Sequence, residues 1–421
     1  DDHDRSGRYT CRDFGQNYLT SMDAKGNPVI FTNGDNDTFP LWYNQETEGV
    51  RTDARVCNLS YLQTDWYIDQ MRRPAYDSPS LPISWTRLQY VTGTREGIPV
   101  QPDALQQVID YYKDSPEDLK QMLGDNPYEL KNIIRHWVLN DNPDLQIFPT
   151  DSIVVTVDKE AVKRSGMMIA ADSIPDVMHI SLKGKRAIYK SEMMMLEMIS
   201  QANWERPLYM STTVGPDNYG HLGDNFVQEG LACRITPFDT KQSGRTIDSE
   251  RMYNNMMNKF KYGGLKENPD IYLDETVIRM CYTHRRLFNQ LAQQLLKEGQ
   301  KDKALKVLQR AEEEIPGSIV PHEAFYGHSL ELADAWLALG HKAEAEKLLN
   351  AVGQNAREYI EWYLSLNTQR LLQSSRECLM QIYILNDIAK TWEPIDKKKA
   401  ETYRMEVNNY ASRCHQRGMS L

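Results

Sequence analysis

The run Val29-Ile30-Phe31-Thr32-Asn33-Gly34-Asp35-Asn36-Asp37-Thr38-Phe39-Pro40-Leu41-Trp42-Tyr43 constrains the fold of this chain more than any other stretch. Apolar residues lead into a turn-forming Asn-Gly, then two carboxylates and an amide, then aromatics. This is the pattern of a buried β-strand that ends in a polar loop. In open α/β sheets ligands sit at the carboxyl ends of strands, which makes the loop a candidate site. The same residues also suit a plain strand-to-helix connection, with Asp37 or Thr38 as helix N-cap and the aromatics in the core.

Two further segments repeat the pattern. Residues 54–59 read as a strand and are followed by Ser60-Tyr61-Leu62-Gln63-Thr64-Asp65-Trp66-Tyr67. Residues 207–211 read as another, followed by Thr212-Thr213-Val214-Gly215-Pro216-Asp217-Asn218-Tyr219. Residues 41–49 leave room for a short helix between the first two strands, so the unit is βαβ and its strands are expected to be parallel. Parallel strands place their following loops on one edge, where the three loops would converge. The candidate binding residues are therefore Asp35, Asn36, Asp37, Thr38, Trp42, Tyr43, Asp65, Trp66, Asp217 and Asn218, with His221 just beyond the third loop.

Along the chain the predicted order is a helix over 12–21, the βαβ unit, a proline-rich insertion over 72–150, strands at 153–157 and 179–182, a helix over 191–201, and strands at 208 and 232–236. The insertion holds two predicted helices, 104–110 and 127–139, and is read as a cover over the sheet. The expected fold is thus α/β followed by all-α: a mainly parallel, Rossmann-like sheet domain over 1–240, a helical linker over 241–283 and a helical domain over 284–421.

The helical domain carries a small-residue signature of tetratricopeptide repeats. With Pro316 at template position 32, Ala292, Ala304 and Ala311 fall on the small positions at 8, 20 and 27. A second copy has Ala333 and Ala345 at the same separation, 12 residues. Small side chains are required where the two helices of a repeat cross closely. The phase between copies is 41 residues against the usual ~34, so the loop over 317–325 is expected to be extended. A third helical pair, 376–391 and 397–415, lacks the signature and is read as a cap. Tyr326, Trp336, Tyr359, Trp362 and Tyr363 either line a groove or serve as core.

The net charge of −10 argues against nucleic acid or an anionic membrane as principal partner. No apolar stretch approaches the roughly 18 residues of a membrane span. The six cysteines form no CxxC or Cys/His ligand spacing, so no zinc site is assigned and free buried thiols are expected. None of the nine histidines lies in a metalloprotease motif or beside a nucleophile elbow. Asp35, Asn36 and Asp37 are oxygen donors suited to Ca²⁺ or Mg²⁺, with Asp65 or Asp217 as a neighbour, but three adjacent residues cannot all face one ion. Asp1, Asp2, His3 and Asp4 have chelating side chains, yet read better as a solvated junction. No catalytic residue, metal or cofactor is assigned.

The runs Asp1 to Tyr9, Thr32 to Tyr43, Val56 to Gln70 and Asn203-Trp204-Glu205-Arg206-Pro207-Leu208-Tyr209 closely resemble a family of large bacterial inner-membrane proteins, once described only as a domain of unknown function. That family is related to the GT-C protein O-mannosyltransferases, and the resemblance covers most of residues 1–280. It implies a parent protein whose multi-span N-terminal half uses a polyprenyl-phosphate sugar, followed by a region on the periplasmic side of the inner membrane. This chain, which starts at Asp1 without Met, is expected to be that region alone. Its expected role is to bind exported polypeptide acceptors beside the membrane domain of the same chain, without catalytic machinery of its own. The alternative is a protein-interaction module of an envelope or secretion complex.

Overall fold

The computed structural model describes residues 5–167 and 174–419. The acidic run Asp1-Asp2-His3-Asp4 lies outside the described residues. The described residues form two compact units, one lying within 12–261 and the other made of residues 5–11 together with 262–419.

The first unit is α/β. After α1 (Thr10–Ser21), the strand β1 (Val29–Thr32) leads into α2 (Phe39–Glu46) and then β2 (Arg55–Asn58). Next come α3 (Asp65–Met71), α4 (Arg87–Tyr90), β3 (Gly97–Pro99), α5 (Ala104–Tyr111), α6 (Pro116–Leu123) and α7 (Leu130–Ile133). The chain continues through β4 (Ser152–Thr156), α8 (Lys159–Arg164), β5 (Val177–Ser181), β6 (Ala187–Tyr189), α9 (Lys190–Gln201) and β7 (Leu208–Ser211). It closes with β8 (Phe226–Gln228), β9 (Ala232–Ile235), α10 (Thr240–Ser243) and α11 (Ser249–Asn254).

The main sheet has the order β2-β1-β7-β9-β8. β1 pairs in parallel with both β2 and β7, in registers Val29↔Arg55 and Val29↔Leu208. All three strands are buried along their whole length, which is why they read as continuous apolar runs without alternation. The sheet is nonetheless mixed, not mainly parallel. β9 runs antiparallel to both β7 and β8. Only residues 229–231 separate β8 from β9, and so short a link permits only an antiparallel return. The segments predicted as strands at 153–157 and 179–182 form β4 and β5, but these pair with each other, Val154 opposite His179, in a separate two-stranded sheet.

The proline-rich insertion supplies Trp85, Tyr90, Ile98, Leu130 and Ile133 to the same core that holds Phe31, Cys57 and Met210 of the sheet and Met193, Met194 and Met195 of α9. A smaller cluster of Leu105, Leu123, Trp137 and Ile147 sits within the insertion.

The second unit is helical: α12 (Glu275–Lys297), α13 (Lys301–Glu314), α14 (Ser329–Ala338), α15 (Lys342–Ser365), α16 (Thr368–Gln373), α17 (Ser375–Trp392) and α18 (Lys397–Gln416). α12 packs on α13, α14 on α15 and α17 on α18. Gly299 and Gly340 take the left-handed conformation at the ends of α12 and α14, so that each helix stops and its partner starts within three residues. Ala292, Ala304, Ala311, Ala333 and Ala345 are all buried. Among the described residues no helix is long and apolar enough to cross a membrane.

Candidate functional site

Parallel pairing of β1 with β2 and β7 sets the three predicted loops on the carboxyl edge of one sheet. Asp37 is the hub of this edge. Its side chain is buried, only 4% exposed. Oδ1 accepts the Gly34 N–H at 2.9 Å, while Oδ2 accepts the hydroxyls of Ser211 at 3.1 Å and Thr213 at 2.8 Å. Tyr18 of α1 completes the network, its hydroxyl 3.1 Å from both Ser211 Oγ and Thr213 Oγ1. Burial first, and the Asp37 charge second, push the Tyr18 phenol up to about 12.

Thr38 occupies the N-cap position of α2, but its hydroxyl makes no cap bond. It lies 2.7 Å from Thr32 Oγ1 and accepts from Asn58 Nδ2 at 2.9 Å, which ties β1 to the end of β2. Asn58 in turn accepts the Tyr61 N–H, and Ser60 donates to Asn33. The start of α2 is instead anchored by the Asp35 carbonyl, which accepts from the Thr38 and Phe39 N–H groups. The Asp35 and Asn36 side chains are exposed.

On this hydrogen-bonded base stands a row of rings. Phe39 lies 5.7 Å from Trp42, Trp42 stacks on Tyr61 at 6.3 Å with planes 9° apart, and Tyr61 lies 5.9 Å from Trp66. Phe39 is 46% and Trp66 51% exposed, so the row presents ring surface to solvent at both ends. Tyr43 is exposed and bonds Glu48.

The remaining predicted residues are not drawn into the Asp37 network. Asp65, at the start of α3, accepts the Thr92 N–H at 3.2 Å and lies 3.7 Å from Arg87. The Thr92 bond and the Arg87 charge hold its carboxyl below the usual range. Asp217 is exposed, Asn218 bonds back to the Gly215 carbonyl, and His221 is exposed with Nδ1 4.0 Å from Asp224.

The Asn203–Tyr209 motif is a structural latch. Asn203 and Trp204 both adopt positive φ, 50° and 63°, turning the chain from α9 into β7. Trp204 Nε1 donates to the Thr156 carbonyl at 2.9 Å. Arg206 donates to the carbonyls of Asn27, Pro79 and Ser80 and to Ser78 Oγ, stitching the approach to β1 onto the insertion.

One charged cluster escaped the sequence reading. Glu229 is fully buried, accepts the Tyr209 hydroxyl at 2.9 Å and lies 3.8 Å from Arg234, itself buried. Arg234 and Arg251 both reach Asp23, at 3.3 and 3.4 Å. Burial raises the Glu229 carboxyl above its ordinary range despite both guanidiniums. Burial also opposes ionisation of Asp23, but the Lys25 N–H and the two arginines win and hold it low. The charges of residues 229 and 234, so close to an apolar strand, were the available signal. Such a cluster is first a means of fixing structure. Among the described residues no group of His, Cys, Asp and Glu has the arrangement of a metal site.

Fold and site together define a mixed α/β domain with a hydrogen-bonded, aromatic-faced loop edge, carried in one chain with a helical unit. The family model of TMEM260-associated domain 2 matches residues 11–255, and the chain belongs to that family, consistent with a domain of a membrane-protein family. No curated protein and no solved structure matches the chain.

Proposed function

We propose that this chain is the extracytoplasmic, acceptor-binding region of a membrane-bound GT-C-type protein O-glycosyltransferase that transfers mannose, with the transfer machinery in the parent's membrane domain. The observation that carries the reading is the aromatic row Phe39–Trp42–Tyr61–Trp66 on the carboxyl edge of the sheet. Exposed stacked rings on a rigid base suit the apolar faces of an extended Ser/Thr-containing polypeptide, with the exposed Asp35 and Asn36 as polar contacts. The buried Asp37 acts beneath them by holding the loops in place. In this reading the β2-β1-β7 portion is a Rossmann-like platform, the helical unit is a tetratricopeptide-like stack, and both face the periplasm. The family membership supports the membrane-protein parent.

NMR titration with Ser/Thr-rich peptides from exported proteins tests it. A few aromatic contacts and hydrogen bonds, set against peptide ordering, give dissociation constants of about 10 μM to 1 mM. Trp42→Ala and Trp66→Ala should weaken binding, and the chain alone should transfer no sugar. Sugar transfer by this chain alone would sink the reading. Shifts confined to residues 284–415 would favour the second reading, an interaction module working through its helices, which an open groove in the helical unit supports.

A further inference from the structure

The helical unit contains an open groove of about 920 Å³ between α12, the second half of α15, α17 and the loop that joins α13 to α14. That loop is the extension announced by the 41-residue phase of the repeats. It is fixed from beneath: the buried Arg285 donates to the carbonyls of Ile315, Val320 and Pro321 at 2.8–3.0 Å. Glu323 closes it by accepting the N–H groups of Phe325 and Gly327. The extra residues thereby become a rigid wall carrying Pro321, Phe325 and Tyr326.

The groove is aromatic and acidic at once. Tyr326 is 62% exposed and stacks on Tyr282 at 6.5 Å, with planes 19° apart. Tyr359, 49% exposed, and Tyr363 stand one turn apart on α15 and share its groove side with Asn355. Across from them α17 contributes Glu377 and, one turn on, Gln381. Three carboxylates, Glu275, Glu323 and Glu377, line the groove against one cation, Arg279, which is paired with Glu275. Glu323 is engaged with its own loop, whereas Glu377 is exposed and has no ion pair among the described residues. Burial and then the Glu377 charge push the Tyr363 phenol up, which sets that carboxylate in the field of the rings.

We propose that this groove binds an extended, basic polypeptide segment, with one Lys or Arg side chain held between the faces of Tyr359 and Tyr363 and the carboxylate of Glu377. Ring faces attract cations, and a carboxylate beside them adds direct charge complementarity. Asn355 and Gln381 each offer a donor and an acceptor to an extended backbone, and the apolar wall takes neighbouring aliphatic or proline side chains. The site lies in a different unit from the Phe39–Trp66 row and does not depend on it.

The test is fluorescence anisotropy on the whole chain with a labelled ten-residue Lys- and Pro-containing peptide, its Glu-for-Lys counterpart, and spermine as competitor. The basic peptide should bind at least ~10-fold more tightly than the acidic one and weaken with added salt. Glu377→Gln and Tyr359→Ala, both at exposed positions, should each weaken it about fivefold, and Trp66→Ala should leave it unchanged. Equal binding of both peptides, or binding indifferent to both groove variants, would overturn the proposal. Displacement by spermine at the peptide's own concentration would overturn the polypeptide as occupant. Loss of binding in Trp66→Ala alone would assign the peptide to the sheet edge, so the two sites fail separately.

Discussion

Thr213 Oγ1 donates to Asp37 Oδ2 at 2.8 Å, and this bond joins the loop after β7 to the loop after β1 across the carboxyl edge of the sheet. The two residues are 176 positions apart in sequence, so the contact closes the long excursion through the insertion and α9. Its location in a buried network, with Ser211 and Tyr18 as further members, makes Asp37 the organiser of the edge.

Asp37→Ala should therefore act on stability first. It removes the acceptor of the Gly34 N–H and of the Ser211 and Thr213 hydroxyls; Ser211 is buried, whereas Gly34 and Thr213 are exposed, so the loss is roughly 1–3 kcal/mol. Urea unfolding of the α/β unit measures it. A near-neutral effect, as expected of a surface carboxylate that meets only ligand, would refute the organising role.

Gly15 of α1 packs directly on the start of α2. An added Cβ would collide with the Pro40 carbonyl and lie 2.8 Å from Asn44 Nδ2. Neither neighbour yields easily, because the Asn44 amide is bonded to the Arg12 and Pro40 carbonyls. Gly15→Ala should lose about 2 kcal/mol or more through overpacking. Gly215→Ala, with nothing within 4 Å of its added methyl and an ordinary φ of −74°, should stay within roughly 0.5 kcal/mol of wild type. Similar melting temperatures for the two variants would count against this packing.

The parts of the fold visible in the sequence are those with strong local grammar. The buried strands 29–32, 55–58 and 208–211 are uninterrupted apolar runs, and the buried alanines of the helical unit recur at fixed spacing. The mixed character of the sheet was hidden because β8 has three residues and its partner choice is settled by a tight return, not by hydrophobic pattern. At the sheet edge, the sequence placed this loop at the end of β1 but could not assign roles within it. Asp35, Asn36 and Asp37 are chemically alike in a row, and only the pairing of β1 with β7 puts Asp37 inside and its neighbours outside. Tyr61, the ring that links Trp42 to Trp66, was passed over because its place depends on the fold of the second loop. The Arg206 latch was legible only as a motif, since its partners come from two remote segments.

Cys378 on α17 and Cys414 on α18 lie with sulfurs 3.9 Å apart in the buried face between their helices. Burial first, then the facing Cys414, pushes Cys378 up to about 12, so both stay protonated and unreactive at neutral pH in the native protein. In an oxidising glutathione buffer, refolding should yield a Cys378–Cys414 disulfide, closing a loop that in the chain-entropy model is worth roughly 3–4 kcal/mol. Peptide mass mapping checks the pairing. A dominant disulfide through Cys57 or Cys281, or none at all, would contradict it.

His284 of α12 is fully buried, its ring 5.1 Å from that of Tyr262, and burial lowers its pKa to about 3. In the unfolded chain the imidazole titrates near its ordinary 6.5. Between those values the unfolded state binds the extra proton, so stability of the helical unit rises with pH across this window and falls on acidification. From pH 8 to pH 5 the loss assigned to this one group is about 2 kcal/mol. His284→Phe, whatever its effect at pH 8, should flatten the pH dependence by that amount, because a phenyl ring takes no proton in either state. Urea unfolding of both proteins at pH 8, 6.5 and 5 reads the difference. Parallel curves for wild type and variant would show that His284 is not the group coupling the helical unit to acid.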